Sequence, residues 1–347
     1  MYDLAIIGGG PAGVSAGVYA ARKRLKTVFI AESVGGQSAD SVEVQNWIGT
    51  KSVSGIDLAK SLEAHLRAYA GDVVDIHLGE RADLLQKTGD EFCIRTNRGN
   101  YTARAVLIAT GGTRKKLEIP GAKEFEHKGV TYCASCDGPL FSGQDTVVVG
   151  GGNAGFETAA QLLAYAKSVT LIHRSSEFSK ADAATVEKVL AHPNMKALTD
   201  TAPVEIKGSG FVNAVVVKNI KTEAVSEIPA SGVFVEIGMV PSTDFVKEVV
   251  ALDEWGRVKV NPKNQRAYDA HQTPKKALDA RHGEGSEGNV LKNTLTKPLG
   301  PHNAADEAFF GVWAAGDCTD ELYHQNNIAA GDAVKALEDI YFWVKAQ

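Results

Sequence analysis

YDLAIIGGGPAG, residues 2–13, is a short apolar strand that runs into a glycine-rich turn, and an apolar helical pattern follows it. Each glycine of the pattern has its own mechanical role: Gly8 permits the tight turn, Gly10 lets the backbone approach a pyrophosphate, and Gly13 allows the helix to pack closely on the strand. The next strand ends at Glu32, whose carboxylate can accept hydrogen bonds from ribose hydroxyls. Strand, turn, helix and acid together predict a dinucleotide-binding unit rather than an isolated glycine-rich turn.

The same pattern occurs a second time in the chain. TVVVGGGNAG, residues 146–155, again joins a strand to a glycine turn, and a helical stretch is expected over residues 156–166. The strand after this helix ends at His173 and Arg174, where the first copy has an acid. An acid suits free ribose hydroxyls, whereas a cation suits a 2′-phosphate. We therefore interpret the first unit as an FAD site and the second as a site for NADP or NAD.

Two further strands of the buried type fit the first of these sites. VLIATG, residues 106–111, runs into a turn of small residues, and GVWAAGD, residues 311–317, ends in Asp317, whose carboxylate can bind the ribitol hydroxyls of a flavin. Because these strands flank the second nucleotide unit, we predict a discontinuous FAD-binding domain with the NAD(P)-binding domain inserted into it. The predicted fold class is α/β, with two Rossmann-like, three-layer domains. The predicted domains are 1–114 with 244–347 for FAD and 115–243 for the nicotinamide nucleotide.

A pair of cysteines precedes the second glycine unit. Cys133 and Cys136 are three residues apart, and Asp137 follows directly. Such a pair can close a small disulfide at a helix start, where the dipole and free N–H groups stabilise a thiolate, and the adjacent carboxyl can move a proton. The alternative is half of a zinc site, but neither Cys93 nor Cys318 has a partner at metal-ligand spacing. We expect a redox pair and no metal, with Cys93 in the core and Cys318 structural.

Composition and charge exclude several other classes of protein. The chain has 347 residues and a net charge of −5, which favours neither nucleic acid nor an anionic membrane as a partner. The uncharged stretch 4–21 could imitate a membrane span, but the glycine triplet and the proline inside it favour a strand followed by a turn. Four cysteines are few for a secreted disulfide scaffold. We expect a cytoplasmic protein.

A set of motifs, taken in order along nearly the whole chain, resembles low-molecular-weight thioredoxin reductases. The motifs are GGGPAG (8–13), GGQ (35–37), QNWIG (45–49), IATG (108–111), CASCDG (133–138), GGGNAGFE (150–157) and AAGDCTD (314–320). The resemblance implies a homodimer in which two crossing strands join the two Rossmann-like domains of each chain. The crossings are expected near 112–117 and 240–244.

The resemblance also implies roles for individual residues. Cys136 would lie beside the flavin and take electrons from it, and Cys133 would attack the disulfide of thioredoxin or of a thioredoxin-like or glutaredoxin-like protein. Asp137 would be the acid–base group. The residues implied at FAD are Gly8, Gly10, Pro11, Ala12, Gly13, Glu32, Gly36, Gln37, Asn46, Thr110, Gly111, Gly316, Asp317, Gln325 and Asn326. The residues implied at NADPH or NADH are Gly150, Gly152, Asn153, Ala154, Gly155, His173, Arg174 and Ser175.

The nicotinamide site departs from the family pattern. NADPH-dependent relatives have two arginines after the histidine and another four residues on, whereas this chain has Arg174 with Ser175 and Ser179 at the other two positions. Serines supply a 2′-phosphate with fewer charge-assisted hydrogen bonds than guanidinium groups do. The segments 136–141 and 180–182 also resemble the NADH-using flavoprotein component of alkyl hydroperoxide reductase. The sequence therefore leaves the choice between NADPH and NADH open.

A second departure is an insertion over about 267–306, which is polar and rich in proline and glycine. A solvent-facing loop is the first interpretation, and a lid, a docking segment or a dimer contact is the alternative, because structureless loops of this length are uncommon without a role. The histidines His271, His282 and His302 within it have no metal-ligand spacing. We assign them no site.

Three functional hypotheses fit these features. The first is an NAD(P)H-driven reductase of thioredoxin or a similar protein. The second keeps FAD and the cysteine pair but is a dithiol oxidase that uses oxygen, or a reductase fed by another donor such as ferredoxin. The intact glycine pattern at 150–155 argues against it, whereas the weak phosphate recognition favours it. The third is a non-catalytic nucleotide-binding scaffold, against which the cysteine pair argues.

Overall fold

The computed structural model describes residues 1–41, 43–271 and 311–346. The chain forms two compact units, of which the first comprises Met1–Gly36, Leu62–Gly111 and Ser242–Gln347, and the second Gln37–Ser61 and Gly112–Pro241. Residues 37–61 therefore pack with the second unit, although the sequence assigned them to the FAD-binding domain. From residue 272 onward, the insertion expected over about 267–306 lies outside the described residues.

The helices and strands follow in chain order. The first stretch contains β1 (Tyr2–Ile7), α1 (Pro11–Arg22), β2 (Thr27–Ala31), α2 (Gly55–Ala70), β3 (Val74–Leu78), β4 (Ala82–Thr88), β5 (Glu91–Thr96) and β6 (Asn100–Ile108). The middle stretch contains β7 (Gly112–Arg114), β8 (Val130–Thr131), α3 (Ala134–Asp137), β9 (Asp145–Val149), α4 (Asn153–Leu162), β10 (Ser168–Ile172), α5 (Ala183–Leu190), β11 (Met195–Leu198), β12 (Thr201–Ser209), β13 (Phe211–Asn219), β14 (Val225–Pro229), β15 (Gly232–Val235) and β16 (Met239–Pro241). The last stretch contains β17 (Val312–Ala314) and α6 (Asn326–Lys345). Among the helices of the described residues, none combines the length and hydrophobicity needed to cross a bilayer.

The first unit is built on a sheet that has seven strands within the described residues. Its order is β3-β2-β1-β6-β5-β4, and β17 also pairs with β6. The strands β1, β2, β3, β6 and β17 pair in parallel, whereas β4 and β5 form an antiparallel extension. All five residues of β2 are buried, as the continuous apolar run predicts for a central parallel strand. The carboxyl ends of β2, β1, β6 and β17 therefore meet at one edge of this sheet.

The second unit repeats this arrangement on a smaller scale. In the described residues its parallel sheet has the order β11-β10-β9-β15-β8, and a separate antiparallel sheet has the order β12-β13-β14. Phe156 of α4 and Phe234 of β15 are fully buried in its core. The short strands β7 and β16 pair where the chain enters and leaves the unit. The α/β class with two Rossmann-like, parallel-sheet domains is confirmed.

Two local details differ from the sequence predictions. The helix α4 ends at Leu162 rather than at residue 166, because the chain closes there in tight turns. Cys93 is only half-buried and does not lie in the core. Side chains alternate along β5, and since Phe92 and Ile94 are fully buried, Cys93 points to the opposite, more open face.

Candidate functional site

The first glycine turn contains two glycines at which a side chain would clash with the backbone and one glycine that faces open space. A Cβ added at Gly8 would lie 2.1 Å from the carbonyl oxygen of Ala109, and one added at Gly13 would lie 1.9 Å from that of Gly8. Among the described residues, no heavy atom lies within 4 Å of the same position at Gly10. The turn thus has room at its second glycine, and the first N–H groups of α1 supply donors. This is the arrangement that a bound pyrophosphate requires.

The second glycine turn has the same division. A Cβ at Gly150 would lie 2.1 Å from the carbonyl oxygen of Glu236, and one at Gly155 would lie 1.9 Å from that of Gly150. At Gly152 the nearest atom within the described part of the chain is the carbonyl oxygen of Lys180, at 4.0 Å. Asn153 and Ala154 begin α4 and are exposed. This turn therefore also fits a dinucleotide.

Several residues predicted at FAD gather around the first turn. A Cβ added at Gly36 would lie 3.2 Å from the Cα of Gly10, and one added at Gly316 would lie 3.4 Å from the Cβ of Ala12. Four other predicted residues lie within three positions after the carboxyl ends of β2, β6 and β17 at the shared edge: Glu32, Thr110, Gly111 and Asp317. Strand order thus accounts for the convergence of residues that are far apart in sequence.

The remaining predicted FAD residues are distributed over both units. Gln325 occupies the N-cap position of α6, and Asn326 begins that helix in the first unit. Beside them, His324 Nε2 is buried and has no hydrogen-bond partner among the described residues, which fits a bound group that supplies one. Gln37 and Asn46 belong to the second unit, so their contact with FAD stays a prediction.

The two predicted redox cysteines are joined. Cys133 and Cys136 form a disulfide, with a Cα–Cα distance of 5.3 Å, and both side chains are half-buried. Cys133 is the N-cap of α3, and its sulfur accepts a hydrogen bond from the Cys136 N–H at 3.1 Å. The Nδ2 group of Asn46 lies 3.8 Å from the Cys136 sulfur. Within the described residues, no cluster of three or more His, Cys, Asp or Glu side chains is arranged for a metal.

Asp137 lies in the same short helix and has a perturbed proton affinity. Burial raises the pKa of its carboxyl above the ordinary value, and the Thr131 hydroxyl and nearby His127 oppose that rise. The Thr131 Oγ1 group donates a hydrogen bond to Asp137 Oδ2. A carboxyl that retains its proton closer to neutral pH is suited to exchange protons with thiolates.

The loop after β10 carries His173, Arg174 and Ser175, which the sequence predicts at the nicotinamide nucleotide. The His173 ring packs 5.3 Å from that of Phe178, and His173 Nε2 lies 3.1 Å from the Glu177 carbonyl oxygen. Arg174 is exposed and makes no ion pair with any described residue, and Ser175 is exposed beside it. Arg174 is thus available to a phosphate, while the histidine is held by packing.

Sequence reasoning missed a charged pair next to this loop. The Asp200 N–H donates to the Ser175 carbonyl oxygen at 3.1 Å, which places Asp200 against the loop. Its carboxylate accepts from Ser176 Oγ at 2.8 Å and pairs with Lys221 Nζ at 3.0 Å. These residues carry no motif, because the adjacency of β10 to β11 and the hairpin between β13 and β14 bring them together.

A second missed group lies at the carboxyl end of β15. Glu236 directly follows that strand, and its side chain is 10% exposed. It accepts a hydrogen bond from Thr158 Oγ1 at 2.8 Å, and Arg114 Nη1 lies 3.6 Å from its other oxygen. Burial raises the pKa of Glu236 to about 7, against the effects of Arg114 and Thr158 and together with that of Glu157. An acid placed directly after a buried parallel strand was the available sequence signal.

Comparisons with known proteins agree with this site. The family model described as pyridine nucleotide-disulphide oxidoreductase matches residues 2–270. An NADH dehydrogenase from Bacillus subtilis is 33% identical over 96% of this chain and 57% of its own length. The F component of alkyl hydroperoxide reductase from Pseudomonas putida is 34% identical over 83% of this chain and 57% of its own length. A solved thioredoxin reductase from Giardia duodenalis superposes with a TM-score of 0.82 at 30% identity, over 99% of both chains.

The chain spans little more than half the length of these curated relatives. The thioredoxin reductase structure, in contrast, is matched over almost its full length. The two glycine turns, the disulfide and Asp137 all lie within the part of the chain that the family model covers.

Proposed function

The chain belongs to the pyridine nucleotide-disulphide oxidoreductase family, and from this premise we propose that it is a disulfide reductase of the thioredoxin reductase type. The observation that carries the proposal is the Cys133–Cys136 disulfide, with Asp137 beside it, in a chain that has two dinucleotide turns. Family membership also confirms the resemblance found in the sequence and the cofactors expected from it, FAD and a nicotinamide nucleotide.

Each cofactor is assigned to one turn. We place FAD at the turn around Gly10, in a domain of residues 1–114 and 244–347, and NAD(P)H at the turn around Gly152, in residues 115–243. When bound, FAD supplies the two-electron carrier between the nicotinamide and the disulfide. The open space at the second glycine of each turn and the strand-end residues Glu32 and Arg174 support this assignment.

The chain's own residues carry the thiol steps. Two electrons and a proton convert the disulfide to a Cys133 thiol and a Cys136 thiolate. Loss of the Cys133 proton allows its sulfur to attack the partner disulfide, which forms a mixed disulfide and expels one partner thiolate. Cys136 then attacks the Cys133 sulfur, which restores the disulfide and releases the second partner thiolate. Asp137, with its raised pKa, supplies and accepts the protons in these steps.

The partner is proposed to be thioredoxin or a thioredoxin-like or glutaredoxin-like protein, and the assembly a homodimer in the cytoplasm. Similarity to solved thioredoxin reductases supports these points. Because the relatives named NADH dehydrogenase and alkyl hydroperoxide reductase span further sequence, their names do not identify the partner.

An anaerobic titration followed by flavin absorbance tests the proposal. NADH or NADPH is expected to bleach the flavin, and oxidised thioredoxin is expected to restore its absorbance. Restoration by oxygen alone would identify a dithiol oxidase. Absence of bleaching by either nucleotide, with bleaching by reduced ferredoxin, would identify a different electron donor.

A further inference from the structure

The order of strands in the second sheet fixes where each half of a dinucleotide would lie. The order is β11-β10-β9-β15-β8, so the chain runs outward from β9 to β10 on one side, and β15 lies on the other. Dinucleotides bind across the carboxyl ends of the strands at such a reversal, with the pyrophosphate at the helix N-terminus. The adenosine half therefore faces His173 after β10. The nicotinamide half extends toward the end of β15.

Glu236 is the first residue beyond β15 and so stands on the nicotinamide side. Its carbonyl oxygen lies directly behind Gly150 of the glycine turn. On its other side β15 pairs in parallel with β8, with Phe234 opposite Thr131, and β8 leads to Cys133. Glu236 thus lies along this edge between the nucleotide turn and the segment that carries the disulfide.

The surroundings of Glu236 combine a cation with a second acid. Arg114 approaches from β7 at 3.6 Å, and Thr158 of α4 donates to the carboxylate at 2.8 Å. Glu157, next to Thr158 on α4, adds a negative charge that acts on Glu236. Among the described residues, Arg114 and Glu157 are the charged groups that act on it electrostatically. The carboxyl is therefore buried without full compensation of its charge, and its pKa of about 7 reflects this.

The nicotinamide ring is the part of the nucleotide that changes charge in the reaction. It is cationic when oxidised and neutral when reduced. A nearby carboxylate attracts the cationic ring and does little to the neutral one, and the interaction is strengthened where water is excluded. A protonated carboxyl makes no such distinction.

We propose that Glu236 is a positioning residue for the nicotinamide, that its charge favours the oxidised over the reduced nucleotide, and that Arg114 moderates this preference. The inference rests on the proposed function in one respect, which is that the second turn holds a nicotinamide nucleotide. It adds a residue that determines which redox form of that nucleotide the site prefers. At acidic pH the site discriminates little, and above neutral pH it retains the oxidised product.

The test measures dissociation constants on the oxidised, FAD-loaded protein. The probes are NAD⁺ and the tetrahydro analogue of NADH, which cannot donate a hydride. From about pH 6 to about pH 8, preference for NAD⁺ over the analogue should rise roughly tenfold in the wild type. Glu236→Gln keeps an acceptor for Thr158, and its preference should not change with pH. A pH-dependent preference in this variant, or none in the wild type, overturns the inference.

Two further variants complete the experiment. Arg114→Gln removes the cation, so the midpoint of the pH dependence should move upward, and this variant carries the test if Glu236→Gln loses its FAD. Glu227→Gln is the matched control, because it removes an exposed carboxylate that pairs with Lys207 elsewhere in the same unit. Binding of neither probe at any pH would overturn the nucleotide assignment itself. Binding of both at a constant ratio would overturn only the role of Glu236.

Discussion

Substitution of either redox cysteine is expected to separate flavin reduction from reduction of the protein disulfide. Cys133→Ser and Cys136→Ser should each abolish reduction of a protein disulfide, because neither variant can form the Cys133–Cys136 disulfide that takes up the electron pair, and Cys133 alone would leave a mixed disulfide unresolved. Both variants should still accept a hydride equivalent from the nicotinamide into FAD. Stopped-flow flavin absorbance and a thioredoxin-coupled assay measure the two steps.

The same variants distinguish the two sulfurs. Cys133→Ser should retain a thiolate–flavin charge-transfer absorbance, and Cys136→Ser should lose it. The half-buried thiol of Cys93 offers a control, since Cys93→Ser should leave both steps unchanged. Reduction of thioredoxin at the wild-type rate by either active-site variant would contradict the assigned roles.

Substitution of Asp137 is expected to slow only the thiol steps, in which protons are transferred. Asp137→Asn should lower the rate of thioredoxin reduction by about a hundredfold or more, which is the usual contribution of a positioned acid–base group. Flavin reduction should be unaffected. Thr131→Val removes a hydrogen bond that lowers the pKa of Asp137, so the midpoint of the pH–rate profile should move upward. An unchanged profile in Thr131→Val would show that another group titrates.

At the scale of single residues, the sequence predicted those functional groups whose members are neighbours along the chain. Cys133, Cys136 and Asp137 lie within five positions, so their association needs no fold. Glu236 and Arg114 are 122 positions apart and meet only because β15 and β7 end near each other, so no local pattern predicts their pairing, although Glu236 itself directly follows a buried strand.

At the scale of structural elements, alanine substitutions in the second glycine turn are expected to cause two different kinds of defect, one in stability and one in nucleotide binding. Gly150 has φ +126°, and its added Cβ would lie 2.1 Å from a backbone oxygen, so Gly150→Ala should destabilise the protein by more than the usual strain of about 1–3 kcal/mol. Gly152 has φ −93° and faces open space, so Gly152→Ala should fold normally and bind the nicotinamide nucleotide about tenfold more weakly.

Thermal unfolding and nucleotide titration distinguish these outcomes. Gly210→Ala is the control for backbone strain alone, since Gly210 has φ +80° with no described atom within 4 Å of the added Cβ. Equal destabilisation by Gly150→Ala and Gly210→Ala would show that the close approach has no cost of its own.

The loop after β10 is expected to recognise a 2′-phosphate weakly. Arg174 alone should leave NADH and NADPH competing within about a factor of ten, because each lost charge-assisted contact costs about 1.5–3 kcal/mol. Ser175→Arg with Ser179→Arg should move the ratio of kcat/KM toward NADPH by roughly tenfold or more. The charge-matched control adds the same cations at the exposed Ser209 and Ser226. A wild-type preference for NADPH above about a hundredfold would mean that other groups bind the phosphate, such as Lys221, which contacts Ser176 in this loop.

The positions of strands could be predicted from the sequence where a continuous apolar run is bounded by a turn. β1, β2, β9 and β10 lie where the pattern predicts, because buried parallel strands are continuous apolar runs. The end of α4 was overestimated, because Leu163 to Ala166 are still apolar while the backbone already turns. Periodicity alone does not reveal that turn.

For the whole molecule, the order of motifs was sufficient to predict two parallel-sheet units, and the predicted domain boundaries stay a prediction. The packing of residues 37–61 with the second unit was not predictable in this way. That stretch has little regular structure before α2, so its position depends on tertiary contacts such as the approach of Asn46 to Cys136.

The pH dependence of overall stability is expected to change when Glu236 is neutralised. The folded-state pKa of this acid, about 7, is above its usual value of 4.5, so the folded protein binds more protons between these values. Its contribution to stability is therefore fully present below about pH 4.5 and is lost as pH rises through about 7. At about 1.36 kcal/mol per pKa unit, the rise from 4.5 to about 7 corresponds to roughly 3 kcal/mol as an upper bound.

Glu236→Gln should match the wild type in acid and exceed it in urea-unfolding free energy above neutral pH. The exposed Glu227→Gln should follow the wild type throughout, and equal stability of Glu236→Gln and wild type near pH 8 would show that Arg114 fully compensates the buried charge.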